Sequence, residues 1–232
     1  AQEIAKLAFV ALHAGALLFD RTVSFTVTDI LVPFASSYRP GWVAAGIASA
    51  LAGDFSPAGR LPVTFYRSLE QLPPFGDYSM ANRTYRYHTG EVLYPFGYGL
   101  SYSEFRYEDV KVSPQKWRGT GEIRVSVDVT NIGAMDADEV VQLYVSHQGV
   151  KGAPIRSLVG FKRIHIAKGK TAKVSFQLDD RSLSTVDEQG QRSLVPGKVA
   201  VWVGGGQPEQ REGLRPAAGQ RAELVISKAK ML

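Results

Sequence analysis

The sequence has 232 residues, 44% of them hydrophobic and 21% charged, a globular composition with room for one large domain or two ordinary ones. It has no cysteine, which excludes disulfides, thiolate metal sites and a cysteine nucleophile. The net charge of +5 is spread along the chain, which argues against a nucleic-acid surface, and no window approaches the about 18 continuous apolar residues of a membrane span.

The first stretch, AQEIAKLAFVALHAGALLF, has the apolar content of a leader peptide, but Glu3 and Lys6 interrupt it and no basic segment precedes it. It reads instead as a helix over residues 2–19. SFTVTDILVPF then reads as a strand, because β-branched residues dominate it. After Pro40-Gly41, WVAAGIASALAG predicts a small-residue helix with Gly53 at the position of a C-terminal cap. GRLPVTF predicts a short strand that ends at the Arg67-Ser68 turn. Residues 66–105 carry little regular pattern and read as a long ordered connector, a kind of segment that is usually functional or a structural clamp. Within it YPFGYGLSYSEF, residues 94–105, packs aromatics around Gly97 and Gly99.

From residue 106 the period becomes two. In IRVSVDVTN, residues Ile123, Val125, Val127 and Val129 share one face. VVQLYVS, RIHIAKG, TAKVSFQL, KVAVWVGG and AELVIS repeat the alternation, each bounded by turn residues. About seven such strands in roughly 120 residues predict an immunoglobulin-like β-sandwich without the antibody-type cysteine pair. The fold class is therefore a partial α/β segment over 1–65, a connector with an aromatic latch over 66–105, and an all-β, immunoglobulin-like sandwich over 106–232.

Four stretches carry a more specific signal: LAGDFSPAGRLPVTFYRSLEQLPPFGDY, NRTYRYHTGEVLYPFGYGLSYSEF, VSVDVTNIGAMDADEVVQLYVS and LVGFKRIHIAKGKTAKVSFQLDDRSLSTVDEQGQ. In order and spacing they resemble the C-terminal part of glycoside hydrolase family 3, in particular its bacterial β-xylosidase and β-glucosidase branches. The resemblance covers roughly residues 40–204, and the segment before residue 40 departs from the family pattern. It implies a catalytic barrel upstream, then an α/β sandwich, then a fibronectin type III-like domain, with hydrolysis of β-linked xylose or glucose as the activity. It also implies that the nucleophilic Asp lies on the barrel and the acid/base Glu on an upstream loop, so no catalytic residue is assigned in this sequence. YPFGYGLSYSEF would then be a latch between the two parts, with Phe96, Tyr98, Leu100 and Tyr102 buried between them and Gly97 or Gly99 in a backbone conformation closed to other residues.

The carboxylates Asp54, Glu70, Asp77, Glu91, Glu104, Asp136, Asp138 and Glu139 are the material for a local acid–base pair, which would need a separation of about 5–10 Å. Asp136, Asp138 and Glu139 read as solvated turn residues, and Asp54 as a backbone cap. Ser113, Pro114, Gln115 and Lys116 match the S-x-x-K of an esterase family, but outside a helical context. His13, His88, His147 and His165 show no metal spacing, and His165 reads as a solvent-facing strand residue. The binding candidates are Arg83, Tyr85, Tyr87 and His88, since aromatic faces stack on sugars and arginine forks bind hydroxyls. The alternative is packing for the tyrosines and acidic partners for Arg83 and Arg86. No cofactor and no metal are expected. The expected partners are a β-xyloside or β-glucoside, together with a second copy of the chain or a barrel outside it. Periplasmic or secreted placement follows from the resemblance alone.

Overall fold

A computed structural model of the protein describes residues 40–208 and 213–232. The expected helix over 2–19, the expected strand in SFTVTDILVPF and His13 lie outside them. The chain groups into two compact units, Ala1–Phe55 and Ser56–Leu232.

In the first unit the described element is helix α1, Pro40–Ala52. Proline suits its first position, where a backbone N–H has no helical partner. Gly53 ends it with φ +82°. The Gly53 N–H donates to the Ala50 carbonyl, and the Asp54 N–H reaches back to Ser49 at 2.9 Å. These are the two closing bonds of a Schellman cap, as the glycine predicted.

The second unit begins well upstream of the first long strand. Strands β1 (Phe65–Tyr66) and β2 (Val92–Tyr94) form a small antiparallel pair, with the short helix α2 (Thr84–Tyr87) between them. The predicted strand GRLPVTF is mostly not a strand. Pro62 has no N–H to give a ladder, and only Leu61 pairs before it, through Tyr98 and Gly97.

The sandwich has two main sheets. One places β5 (Ile123–Asn131) between β3 (Phe105–Ser113) and β8 (Thr171–Leu178). The other runs β4 (Lys116–Trp117), β12 (Gly219–Ile226), β11 (Gly197–Gly204), β6 (Ala137–His147) and β7 (Ser157–Ile166). A minor sheet joins β9 (Thr185–Val186), β10 (Arg192–Leu194) and β13 (Lys230–Met231) at one end. The alternation read in the sequence is the burial pattern observed: Ile123, Val125, Val127 and Val129 are fully enclosed and meet Val141, Leu143, Val145, Val201 and Leu224 of the other sheet. Each such side chain contributes about 1.5–3 kcal/mol of burial. Among the described residues no helix is long and apolar enough to cross a membrane.

The latch differs from expectation in what it touches. Tyr98 is buried, but Phe96, Leu100 and Tyr102 are half-buried, and the segment lies against β6 within the sandwich's own unit. The glycines behave as expected. Gly97 has φ +75°, and a Cβ there would collide with the Gln142 side chain; a Cβ on Gly99 would collide with the Gly59 carbonyl. The backbone must pass so close to its neighbours that only glycine fits.

Candidate functional site

The connector residues singled out in the sequence are brought close to one another but are used mainly by the chain itself. Tyr85 stacks on Phe96 at 4.2 Å between ring centroids, meets Tyr144 edge-on, and its hydroxyl accepts from the Leu158 N–H at 3.2 Å. His88 is buried. Its Nδ1 pairs with Asn82 Oδ1 at 3.0 Å, its ring meets Tyr66 edge-on, and its Nε2 has no hydrogen-bond partner. Tyr87 is half-buried at the end of α2. Arg83 does not pair with a carboxylate; it donates to the backbone carbonyls of Ser79, Pro74 and Asp77. The segment is also strained, because Asn82 (φ 53°) and Thr84 (φ 56°) adopt a left-handed backbone that a β-branched residue rarely tolerates. The Tyr66 hydroxyl accepts from the Thr84 N–H at 2.6 Å and helps hold that turn.

The carboxylates are held in structural contacts. Glu91 pairs with Arg67, Glu104 with Arg215, and Asp136 accepts from the Lys168 N–H. Asp77 accepts from the Ser79 N–H, and that contact holds its carboxyl below the usual range. Glu70 is lowered by its hydrogen bond to Ser68. Asp138 is not a free turn residue. It bridges His165 and Arg163, and first the His165 imidazole, then Arg163, keep it ionised to lower pH than a free aspartate. His165 is exposed on its strand, as predicted. Ser113 closes β3 and Lys116 opens β4, so the S-x-x-K stretch is not carried on a helix.

Glu139 overturns the solvated reading. It lies on the inward face of β6, in phase with Val141, Leu143 and Val145, and is 3% exposed. Arg60 reaches it from the stretch before β1 at 2.8 Å. The same guanidinium donates to the Gly205 carbonyl at 2.9 Å and to the Ala58 and Gly59 carbonyls. Gln142 strengthens the junction: its amide donates to the carbonyls of Gly97 and Gly205, and its oxygen accepts from the Tyr144 hydroxyl at 2.6 Å. Burial, and next the Tyr85 phenol, raise the Tyr144 pKa. At the far end of the latch, the Ser103 hydroxyl donates to the fully buried Asn131 at 2.7 Å. Sequence reasoning missed Arg60, Gln142, Tyr144 and Asn131. The one available signal was the phase of Glu139 within an otherwise apolar strand face.

Two parts of the chain match known families. Residues 35–102 match the glycosyl hydrolase family 3 C-terminal domain, and residues 139–207 match a fibronectin type III-like domain. The chain is a family 3 glycoside hydrolase C-terminal region. It is 41% identical over 160 residues to a xylan 1,4-beta-xylosidase of Xylanibacter ruminicola, covering 68% of this chain and 18% of that protein. A beta-xylosidase of Formosa agariphila is 32% identical over 205 residues, covering 86% of this chain and 28% of that protein. Beta-glucosidase 3B of Thermotoga neapolitana has the same architecture, with a TM-score of 0.69 at 25% identity, covering 84% of this chain and 27% of that one. The chain therefore spans about a fifth to somewhat over a quarter of the length of these relatives. The Arg60–Glu139 contact joins the two matched parts, since one residue lies in each.

Proposed function

We propose that this region braces a family 3 β-glycosidase acting on β-linked xylose or glucose, and that it supplies no catalytic carboxylate. The observation that carries the reading is the Arg60–Glu139 pair: the most enclosed carboxylate among the described residues is neutralised by a guanidinium that also holds the Gly205 and Ala58 carbonyls. A retaining glycosidase needs one carboxyl group free to attack and another free to exchange a proton, about 5–5.5 Å apart. The paired carboxylates Glu91, Glu104, Asp138 and Glu139 support the bracing role instead. The test is an assay of this chain with aryl β-xylosides and aryl β-glucosides, in which release should equal that of buffer. Turnover above buffer that disappears when Glu91, Glu104 or Asp136 is replaced by alanine would sink the proposal.

A second reading has its own support. Backbone strain at Asn82 and Thr84 and the unpartnered His88 Nε2 sit beside Arg83, Tyr85 and Tyr87, and stored strain gathers at working sites. On that reading the segment contacts a saccharide through Tyr87. Tyr87→Ala should then reduce retention in affinity electrophoresis on xylan while leaving the melting temperature in place. Equal retention of parent and variant removes this reading.

A further inference from the structure

A half-open cleft of about 260 Å³ lies between the turn Tyr98–Phe105 and the stretch Arg215–Ala218. The Arg60–Glu139 pair and the Tyr107 phenol form its inner wall, and Glu104 and Arg215, 2.6 Å apart, stand at its rim. Gly205 shapes it. A methyl group there would stand 2.9 Å from Glu139 Oε1 and 3.4 Å from the Tyr107 hydroxyl, so the absent side chain leaves open the space beside both.

The Tyr107 hydroxyl is buried beside the Glu139 carboxylate and makes no well-aligned hydrogen bond, to that carboxylate or to any other group. Burial, and then the charge of Glu139, push its pKa well above that of a free tyrosine, so it keeps its proton and stays a donor. An unmade bond on a buried hydroxyl is destabilising, and such groups in native proteins call for a reason. Gly205 is the second sign of a built site, because alanine at that position would close the space.

We propose that this cleft binds one neutral pyranose ring. Each cation on its wall is matched to an anion, so the cleft offers no net charge to attract a phosphate or a metal ion. Among the described residues no three metal-ligating side chains cluster. Carboxylate acceptors alternate with guanidinium, serine and tyrosine groups, which suits hydroxyls that donate and accept at once. Phe105, Leu100 and Pro216 supply an apolar side for the C–H face of a ring. The volume falls a little below the about 300 Å³ at which pockets for drug-sized ligands begin, enough for one ring and too little for a chain of them.

The site does not depend on the bracing role, and its test reads binding rather than turnover. Saturation-transfer NMR on the 232-residue chain would use D-xylose, D-glucose and, separately by phosphorus NMR, inorganic phosphate. The expected result is transfer to the ring protons of xylose or glucose, with Kd weakened about fivefold in Tyr107→Phe and in Arg215→Ala, the worth of one hydrogen bond each. Arg215 is exposed, so its replacement leaves the fold intact and decides the matter even where Tyr107→Phe perturbs packing. Absence of transfer from both sugars at tens of millimolar overturns the proposal. Sugar binding untouched by either substitution overturns it as well, and so does phosphate binding that these substitutions weaken, which would make the cleft an anion site.

Discussion

Arg60 and Glu139 show how much rests on a single contact. Replacing one partner leaves the other charge enclosed without compensation, which costs about 3–5 kcal/mol, whereas replacing both with apolar groups of similar volume is often neutral. Arg60→Met should therefore lower the melting temperature by about 10 °C, and Arg60→Met with Glu139→Leu should recover most of the loss in differential scanning calorimetry. If the double variant melts no higher than Arg60→Met, the pair is not an isolated electrostatic unit. Asp138 behaves differently because it is more open to solvent. Its folded pKa is depressed, so its contribution is present in full above its unfolded value of about 3.9 and is lost as pH falls through the folded value. Asp138→Asn should thus cost under about 1 kcal/mol near neutrality and less near pH 2, by urea titration at the two pH values. An equal loss at both would assign the effect to packing.

Among the elements, the strands were legible and the latch only partly. Ile123, Val125, Val127 and Val129 alternate with polar residues, and one enclosed face follows from that period alone. Strand β6 breaks the rule because both its faces are covered: Gln142 and Tyr144 face the connector, a distant segment that no local period reveals. For the same reason Arg60 and Asn131 were invisible, since their roles depend on partners many residues away. Glycines at 97 and 99 were legible because a stiff aromatic run interrupted by glycine implies a close backbone passage. The Tyr85–Phe96 stack makes the latch testable as part of the sandwich. Phe96 is half-buried, so Phe96→Ala should cost about 2 kcal/mol, less than the about 3–5 of a fully enclosed phenylalanine. Hydrogen exchange should quicken together in the connector and in β6. Faster exchange in the connector alone would mean that the latch opens by itself.

At the scale of the whole molecule, apolar groups of the connector stand in solvent. Phe75 is 95% exposed, Tyr78 89% and Leu69 82%, and Phe65, just before the connector, is 41% exposed. Exposed patches of a few hundred Å² generally meet a partner. The chain is expected to self-associate through this face at micromolar concentration, and Phe75→Ser with Tyr78→Ser should shift it toward monomer in sedimentation velocity. A parent chain that already sediments as a monomer would rule this out.

The bond from Arg60 to the Gly205 carbonyl spans 145 residues, and that from Gln142 to the Gly97 carbonyl spans 45. A ribosome releases Arg60 and the connector first, yet their partners on β6 and just after β11 come later, and contacts so remote in sequence form slowly. The aromatic latch therefore waits unsheltered while the sandwich assembles and docks only once β6 and β11 are in place. Birth order and folding order run in opposite directions here, which makes the interval before docking the period in which this chain is most exposed to aggregation.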